Sequence, residues 1–261
     1  MAQIKVSDYV AQFLVENGIR DLFLLSGGGM MHLLDSVSRC EGLNLVFNLN
    51  EQATGICAES YAQFTGHLGA CMVTTGPGAT NAVTGCAGAW VDSTPAVFIS
   101  GQCRIPQMGQ LQGLRIYGAQ EIAIVPMVTP ITKYAVTVLK KEEIRYHLEK
   151  AVYLAIHGRK GPVWIDIPLD IQGAQVEETE LIPFDPQKEC LEPSNSVRDT
   201  DIRELYQMLN QAKRPAILIG HGIVAAHRQQ QIRELAESFR IPVLATWREK
   251  VYSEMRKSCS W

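Results

Sequence analysis

Glu51 stands where an apolar run, residues 43–49, gives way through Asn50 to an amphipathic stretch. A carboxylate placed there can accept or hold a proton at the mouth of a strand. Three glycine-bearing segments follow apolar runs in the same way: residues 26–29 (SGGG), 76–81 (GPGATN) and 101–102 (GQ). Glycine lets the backbone come close to a flat heterocycle, and Asn81 adds a side-chain amide beside it. Taken alone, Glu51 reads as a first-turn acid that complements a helix dipole, worth a few tenths to about 1 kcal/mol. The three open turns shift the reading toward one half of a cofactor site.

The elements that must position these groups follow from periodicity. Ser7 reads as the N-cap of a helix over residues 8–17, with Gly18 ending it. Residues 21–25 form a short apolar strand, and residues 30–39 a helix with Met30, Leu33, Leu34 and Val37 inward. The unit then repeats: strand 43–49 and helix 51–64, strand 70–75 and helix 80–91, strand 96–100. Buried strands that alternate with helices indicate a parallel α/β sheet, whose ligands sit at the carboxyl ends of the strands. An irregular loop over 103–120, a short helix over 121–127, a strand over 133–138, a helix over 142–157 and a strand over 162–167 complete this domain. Residues 173–200 are acidic, carry three prolines and read as a linker. A second α/β unit opens beyond: helix 201–211, strand 216–219, turn 220–222, a helix to 239 and strand 241–245.

Composition bounds the function. The chain has 261 residues, 46% hydrophobic and 20% charged, with a net charge of −3. That balance fits a soluble globular protein and excludes nucleic acid or an anionic membrane as the main partner. Seven cysteines show no C-x-x-C spacing and no histidine at ligand spacing, which predicts core residues in a reducing compartment and no metal site. No signal-peptide h-region and no run near the roughly 20 apolar residues of a membrane span are present, so a cytoplasmic location is expected. Two near-matches to the dinucleotide fingerprint fail. Gly76-x-Gly78-x-x-Asn81 and Gly220-x-Gly222-x-x-Ala225 both lack an acid at the end of the next strand. A nucleotide-binding reading rests on the second of these alone.

The segments SGGG, NLNEQATGICAESYAQFTG, VTTGPGATNAVTGCAGAWVDSTPAVFISGQ and GPVWIDIPLDIQ stand in an order that resembles the N-terminal pyrimidine-binding domain of thiamine-diphosphate enzymes. Among these the chain is most similar to the acetolactate synthase group. The resemblance implies a parallel-sheet pyrimidine-binding domain over residues 1–172, a linker over 173–200, and an incomplete Rossmann-like middle domain with a divergent tail over 201–261. It implies that Glu51, as a buried acid, activates thiamine diphosphate through its aminopyrimidine ring, and that Gln120 lies near the reacting carbon. Gly27, Gly28, Pro77, Asn81 and Gln102 would line the site, the two glycines facing the cofactor of a neighbouring subunit.

The chain also departs from the family. Ala119 stands where acetolactate synthases have Phe, and residues 111–118 differ, so the acceptor pocket is altered. Related carboligases that add a two-carbon unit to a sugar ketone fit about as well. The resemblance implies a G-D-G motif for diphosphate and Mg²⁺, which does not occur in the chain, and an FAD-binding remainder of the middle domain, so both sites are expected to be largely absent here. The expectation is a truncated carboligase or decarboxylase of 2-keto acids, inactive alone. Its thiamine-diphosphate half-site would be completed in a homo-oligomer or by a complementing diphosphate-domain chain. The alternative from a different class is a partner subunit or a non-catalytic remnant.

Overall fold

The computed structural model describes residues 3–189 and 197–246, in two compact units divided between residues 192 and 193. In the first unit, chain order runs β1 (Gln3–Lys5), α1 (Val6–Glu16), β2 (Asp21–Leu24), α2 (Met31–Arg39), β3 (Asn44–Phe47), α3 (Glu51–Thr65), β4 (Gly69–Val73) and α4 (Pro77–Val91). It continues through β5 (Ala96–Gln102), α5 (Ile124–Val128), β6 (Tyr134–Thr137), α6 (Ile144–Ile156), β7 (Pro162–Pro168), α7 (Leu169–Gly173) and β8 (Gln175–Glu177). Six strands make one all-parallel sheet in the order β3-β2-β4-β5-β7-β6.

Side chains on the central strands alternate between two apolar layers, as a period of two requires. Met72, Ile99 and Ile165 pack toward Leu14, Leu33 and Leu148 of α1, α2 and α6. Cys71, Phe98 and Trp164 pack on the other face with Ala58, Ala82 and Ile124 of α3, α4 and α5. The second layer is thin because α3 and α4 meet through small residues: a side chain at Gly85 would run into the backbone of Gly55. Strands β4, β5 and β7 are buried throughout, which explains why their sequences are mostly apolar, with Ser100, Gln102 and Asp166 as buried polar exceptions.

Four sequence expectations change. Strand β3 is not buried but forms one edge of the sheet, with Phe47 exposed at its end and Leu49 exposed beyond it. Ser7 does not cap α1; it is buried in the first turn, where its Oγ lies 2.8 Å from Ser36 Oγ. Helix α4 begins at Pro77 rather than at residue 80, since proline at the first helical position has no N–H to lose. The linker expected over 173–200 starts later: β8 pairs antiparallel with β1, and Val176 and Leu181 are buried in the first unit's core.

The second unit contains α8 (Asp199–Gln211), β9 (Ile217–Ile219), α9 (His221–Ala225), α10 (Gln229–Phe239) and β10 (Val243–Ala245). Strands β9 and β10 pair in parallel, the start of a Rossmann-like arrangement. The turn expected at residues 220–222 is instead the entry to the short helix α9. The tail expected to diverge, residues 249–261, lies outside the described residues. Among the described residues no helix is long and apolar enough to cross a membrane.

Candidate functional site

Glu51 is the first residue of α3, and Asn50 ahead of it caps the helix by accepting from Gln52 N at 2.8 Å and Ala53 N at 3.3 Å. The cap fixes where Glu51 leaves the backbone. Pro77 opens α4 after Gly76, whose backbone turns at φ 61°, and this brings Asn81 alongside. Asn81 Nδ2 donates to Glu51 Oε2 at 2.8 Å, across the N-terminal turns of the two helices. A cleft of about 580 Å³ opens over this pair, lined by Glu51, Thr74, Thr75, Pro77, Gly78, Thr80, Asn81 and Gln120.

Of the expected site residues, Glu51, Pro77, Asn81 and Gln120 meet in this cleft. Glu51 is half-buried there rather than buried, since it lines the open cleft. Gln120 is exposed and sits in the left-handed region at φ 57°, a conformation costing a non-glycine residue about 1–3 kcal/mol. Gly76 has to be glycine here, since a side chain on it would overlap the Gln120 carbonyl.

Gln102, Gly27 and Gly28 do not join the cleft lining. Gln102 is buried: its Nε2 donates to Ile122 O at 3.0 Å and to Asp166 Oδ2 at 3.2 Å, and its Oε1 accepts from Cys103 N at 3.0 Å. Its amide is fully used inside the fold. Gly27 has extended backbone and packs against the Thr74 side chain, while Gly28 opens a 3₁₀ turn with free space around it.

Sequence reasoning missed Thr74 and Thr75. Thr74 Oγ1 accepts from Gly29 N at 3.0 Å and so ties the SGGG turn to the cleft wall. Thr75 Oγ1 is buried in that wall with no hydrogen-bond partner in the structure. A buried orphan hydroxyl is a polar group that a ligand can satisfy. The only signal for it was the pair of hydroxyl residues directly before Gly76.

Asp166 is a second group that the sequence did not announce. It is buried at the carboxyl end of β7, where Ser100 Oγ donates to Oδ1 at 2.6 Å, and Gln102 Nε2 and Thr137 Oγ1 donate to Oδ2 at 3.2 and 3.1 Å. Burial pushes its pKa up to about 7, and the three hydrogen bonds oppose that rise. A second hollow of about 370 Å³ lies where β1, α1 and α2 meet, lined in part by Lys5, Asp8 and Arg39. Its charges are already paired, Arg39 with Asp8 at 3.2 Å and Lys5 with Asp35 at 3.5 Å. Among the described residues no cluster of three His, Cys, Asp or Glu side chains could hold a metal ion.

Fold and cleft together define a parallel α/β domain with a polar cleft at the carboxyl ends of its strands, the place where such sheets bind ligands. Residues 4–126 match the family model "Thiamine pyrophosphate enzyme, N-terminal TPP binding domain", and residues 202–259 match the model of the central domain of the same enzymes. The chain is 32% identical over 247 residues to the acetolactate synthase isozyme 3 large subunit of Escherichia coli, covering 94% of this chain and 42% of that one. It is 36% identical over 242 residues to the acetolactate synthase large subunit of Lactococcus lactis, covering 92% and 40%, and 34% identical to the acetolactate synthase of Arthrospira platensis, covering 88% and 39%. The chain belongs to the thiamine pyrophosphate enzymes and is acetolactate synthase-like. It spans about 40% of the length of these relatives.

Proposed function

We propose that the Glu51 cleft is the pyrimidine-holding half of a thiamine-diphosphate site in a carboligase or decarboxylase of 2-keto acids, of the acetolactate synthase type. The observation that carries the reading is the Asn81–Glu51 pair at 2.8 Å, set in a cleft at the strand ends of a domain matched by the thiamine pyrophosphate family. The donor set suits a flat ring bearing both donors and acceptors: a carboxylate, an amide, an orphan hydroxyl at Thr75, and a wall at Gly78 with no side chain to block it.

When bound, thiamine diphosphate supplies a carbon that turns nucleophilic on losing a proton, the chemistry that bond making or breaking beside a keto carbon needs. The residues do the rest. Asn81 engages Oε2 of Glu51 and holds the carboxylate in one orientation, so that Oε1 is left to take or share a proton with a ring nitrogen. Pro77 and Gly78 give the ring a smooth wall, and Gln120 stands at the cleft rim, where a substrate carbonyl would approach. On this reading the diphosphate and Mg²⁺ are held outside the described residues, by a complementing domain, and half-sites of neighbouring subunits meet.

Calorimetric titration with thiamine diphosphate and Mg²⁺ tests the reading. Weak, saturable binding by the chain, abolished in Glu51→Ala, is the expected result. Tight binding by the chain alone contradicts a half-site, and a titration unchanged by Glu51→Ala removes Glu51 from it.

A further inference from the structure

Gln120 and Glu121 are neighbours in opposite situations. Gln120 is exposed at the cleft with φ 57°, a backbone region that glycine adopts freely and other residues seldom do. Glu121 is only 5% exposed, and its carboxylate collects backbone donors. Oε1 accepts from Gln110 N at 3.1 Å, and Oε2 accepts from Tyr117 N at 2.9 Å and Gly118 N at 3.3 Å. All three donors lie on one segment, residues 109–118, whose regular structure is a single 3₁₀ turn at Gly109–Gln112. The carboxylate thus does for this segment what a strand partner or helix would do elsewhere: it satisfies the backbone N–H groups and sets the path. Burial works to raise its pKa, but the N–H groups outweigh that effect and keep it below the usual carboxylate range.

We propose that Glu121 is a positioning residue: by winding the 109–118 segment around its carboxylate, it holds Gln120 in the left-handed conformation that presents it to the Glu51 cleft. A strained backbone persists only where its surroundings over-determine it. Here one flank of Gln120 is fixed by the close approach of Gly76, and the other by the bonds to Glu121 and by Gln102 Nε2 on Ile122 O at 3.0 Å. Of these anchors, the Glu121 carboxylate alone reaches the loop that precedes Gln120; its loss frees residues 109–117 and leaves the 118–121 turn held only by the Glu121 N–H on Gly118 O at 3.3 Å, a long bond that does not by itself keep residue 120 from relaxing to negative φ.

The inference rests on the reading of Gln120 as a residue of the cofactor half-site. Its test needs no cofactor, so the two can fail separately. A double-mutant cycle of Glu121→Ala and Gln120→Gly is followed by thermal melting of the full chain. In the wild-type background Gln120→Gly relieves the backbone strain and raises the melting temperature by about 2–4 °C. In the Glu121→Ala background, where residue 120 has already relaxed, the same change gives no rise. Hydrogen exchange at the amides of Gln110, Tyr117 and Gly118 should accelerate at least tenfold in Glu121→Ala. Additive melting shifts overturn the positioning role, because a carboxylate that merely ordered the loop would not couple to Gln120. Unchanged exchange at the three amides overturns it as well. Glu121→Gln, which keeps the volume and one acceptor oxygen, serves for the same cycle should Glu121→Ala not fold.

Discussion

Asn81 donates to Glu51 across the N-terminal turns of α4 and α3, at 2.8 Å, from 30 positions further along the chain. The two helices follow β3 and β4, the strands on either side of β2, and pack against each other, so the meeting of the two side chains is a property of the fold. The bond joins an amide to a half-buried carboxylate, and hydrogen bonds to charged groups contribute about 1.5–3 kcal/mol when buried, less when solvent shares them. Asn81→Ala should therefore destabilise the chain by about 1 kcal/mol more than it destabilises the Glu51→Ala variant. Urea unfolding of the four members of that cycle measures the coupling. A coupling of zero would mean that solvent, and not Glu51, satisfies the amide.

The packing of α3 on α4 makes a sharper demand. A Cβ at Gly85 would lie 2.6 Å from Ile56 N and would overlap the Gly55 backbone as well, so the helices must move apart. Gly85→Ala should cost about 1–3 kcal/mol or more, by overpacking. For a chain of this size each kcal/mol lowers the melting temperature by roughly 2–4 °C. Gly88, one turn further along α4, has nothing within 4 Å of its would-be Cβ, so Gly88→Ala should be neutral or stabilise by up to about 1 kcal/mol. Equal melting shifts for the two variants would contradict this account of the interface.

A wall of the cleft gives a third prediction. A Cβ at Gly78 would stand 2.7 Å from Thr74 Cγ2 and 3.3 Å from Glu51 Oε1. Gly78→Ala crowds the carboxylate from the cleft side and should weaken thiamine-diphosphate binding at least tenfold, about 1.4 kcal/mol, in the titration described above. Thr80→Ala, at the rim of the same cleft, should leave binding within about twofold, since the Thr80 hydroxyl already donates to Pro77 O at 3.1 Å. The opposite ranking of these two variants would place the ligand elsewhere in the cleft.

Much of this was legible in the sequence, for identifiable reasons. The runs that became β4, β5 and β7 are buried on both faces, so local apolarity reports them directly. Glu51 and Asn81 were readable because each sits at a strand-to-helix turn, and parallel sheets gather such turns at one edge. What could not be read depends on distant partners. Gln102 looks like a cleft residue until Asp166, 64 positions later, takes its amide. Val176 looks like an isolated apolar residue in a linker until β1, at the other end of the domain, pairs with it. Ser7 has the form of a helix cap, and only its contact with Ser36 shows that it is packed inside. Strand β3 has the composition of an inner strand, and composition alone does not reveal an edge.

Asp166 sets a pH dependence whose direction can be worked out. In the unfolded chain its pKa is about 3.9. In the folded chain burial pushes it up to about 7, despite hydrogen bonds from Ser100, Gln102 and Thr137. The folded state therefore binds a proton that the unfolded state has released. Its contribution to stability is fully present below about pH 4 and is lost as pH rises through about 7, at up to about 1.4 kcal/mol per pH unit. Asp166→Asn keeps the shape and an acceptor but cannot ionise, so its stability should not show this fall between pH 5 and 8. Urea unfolding of both proteins across that range gives the test. Every other titratable group is common to the two proteins, so the difference between the two curves isolates Asp166. Parallel curves would mean that the native state carries Asp166 ionised at neutral pH, held by its three donors, and that burial does not dominate its chemistry.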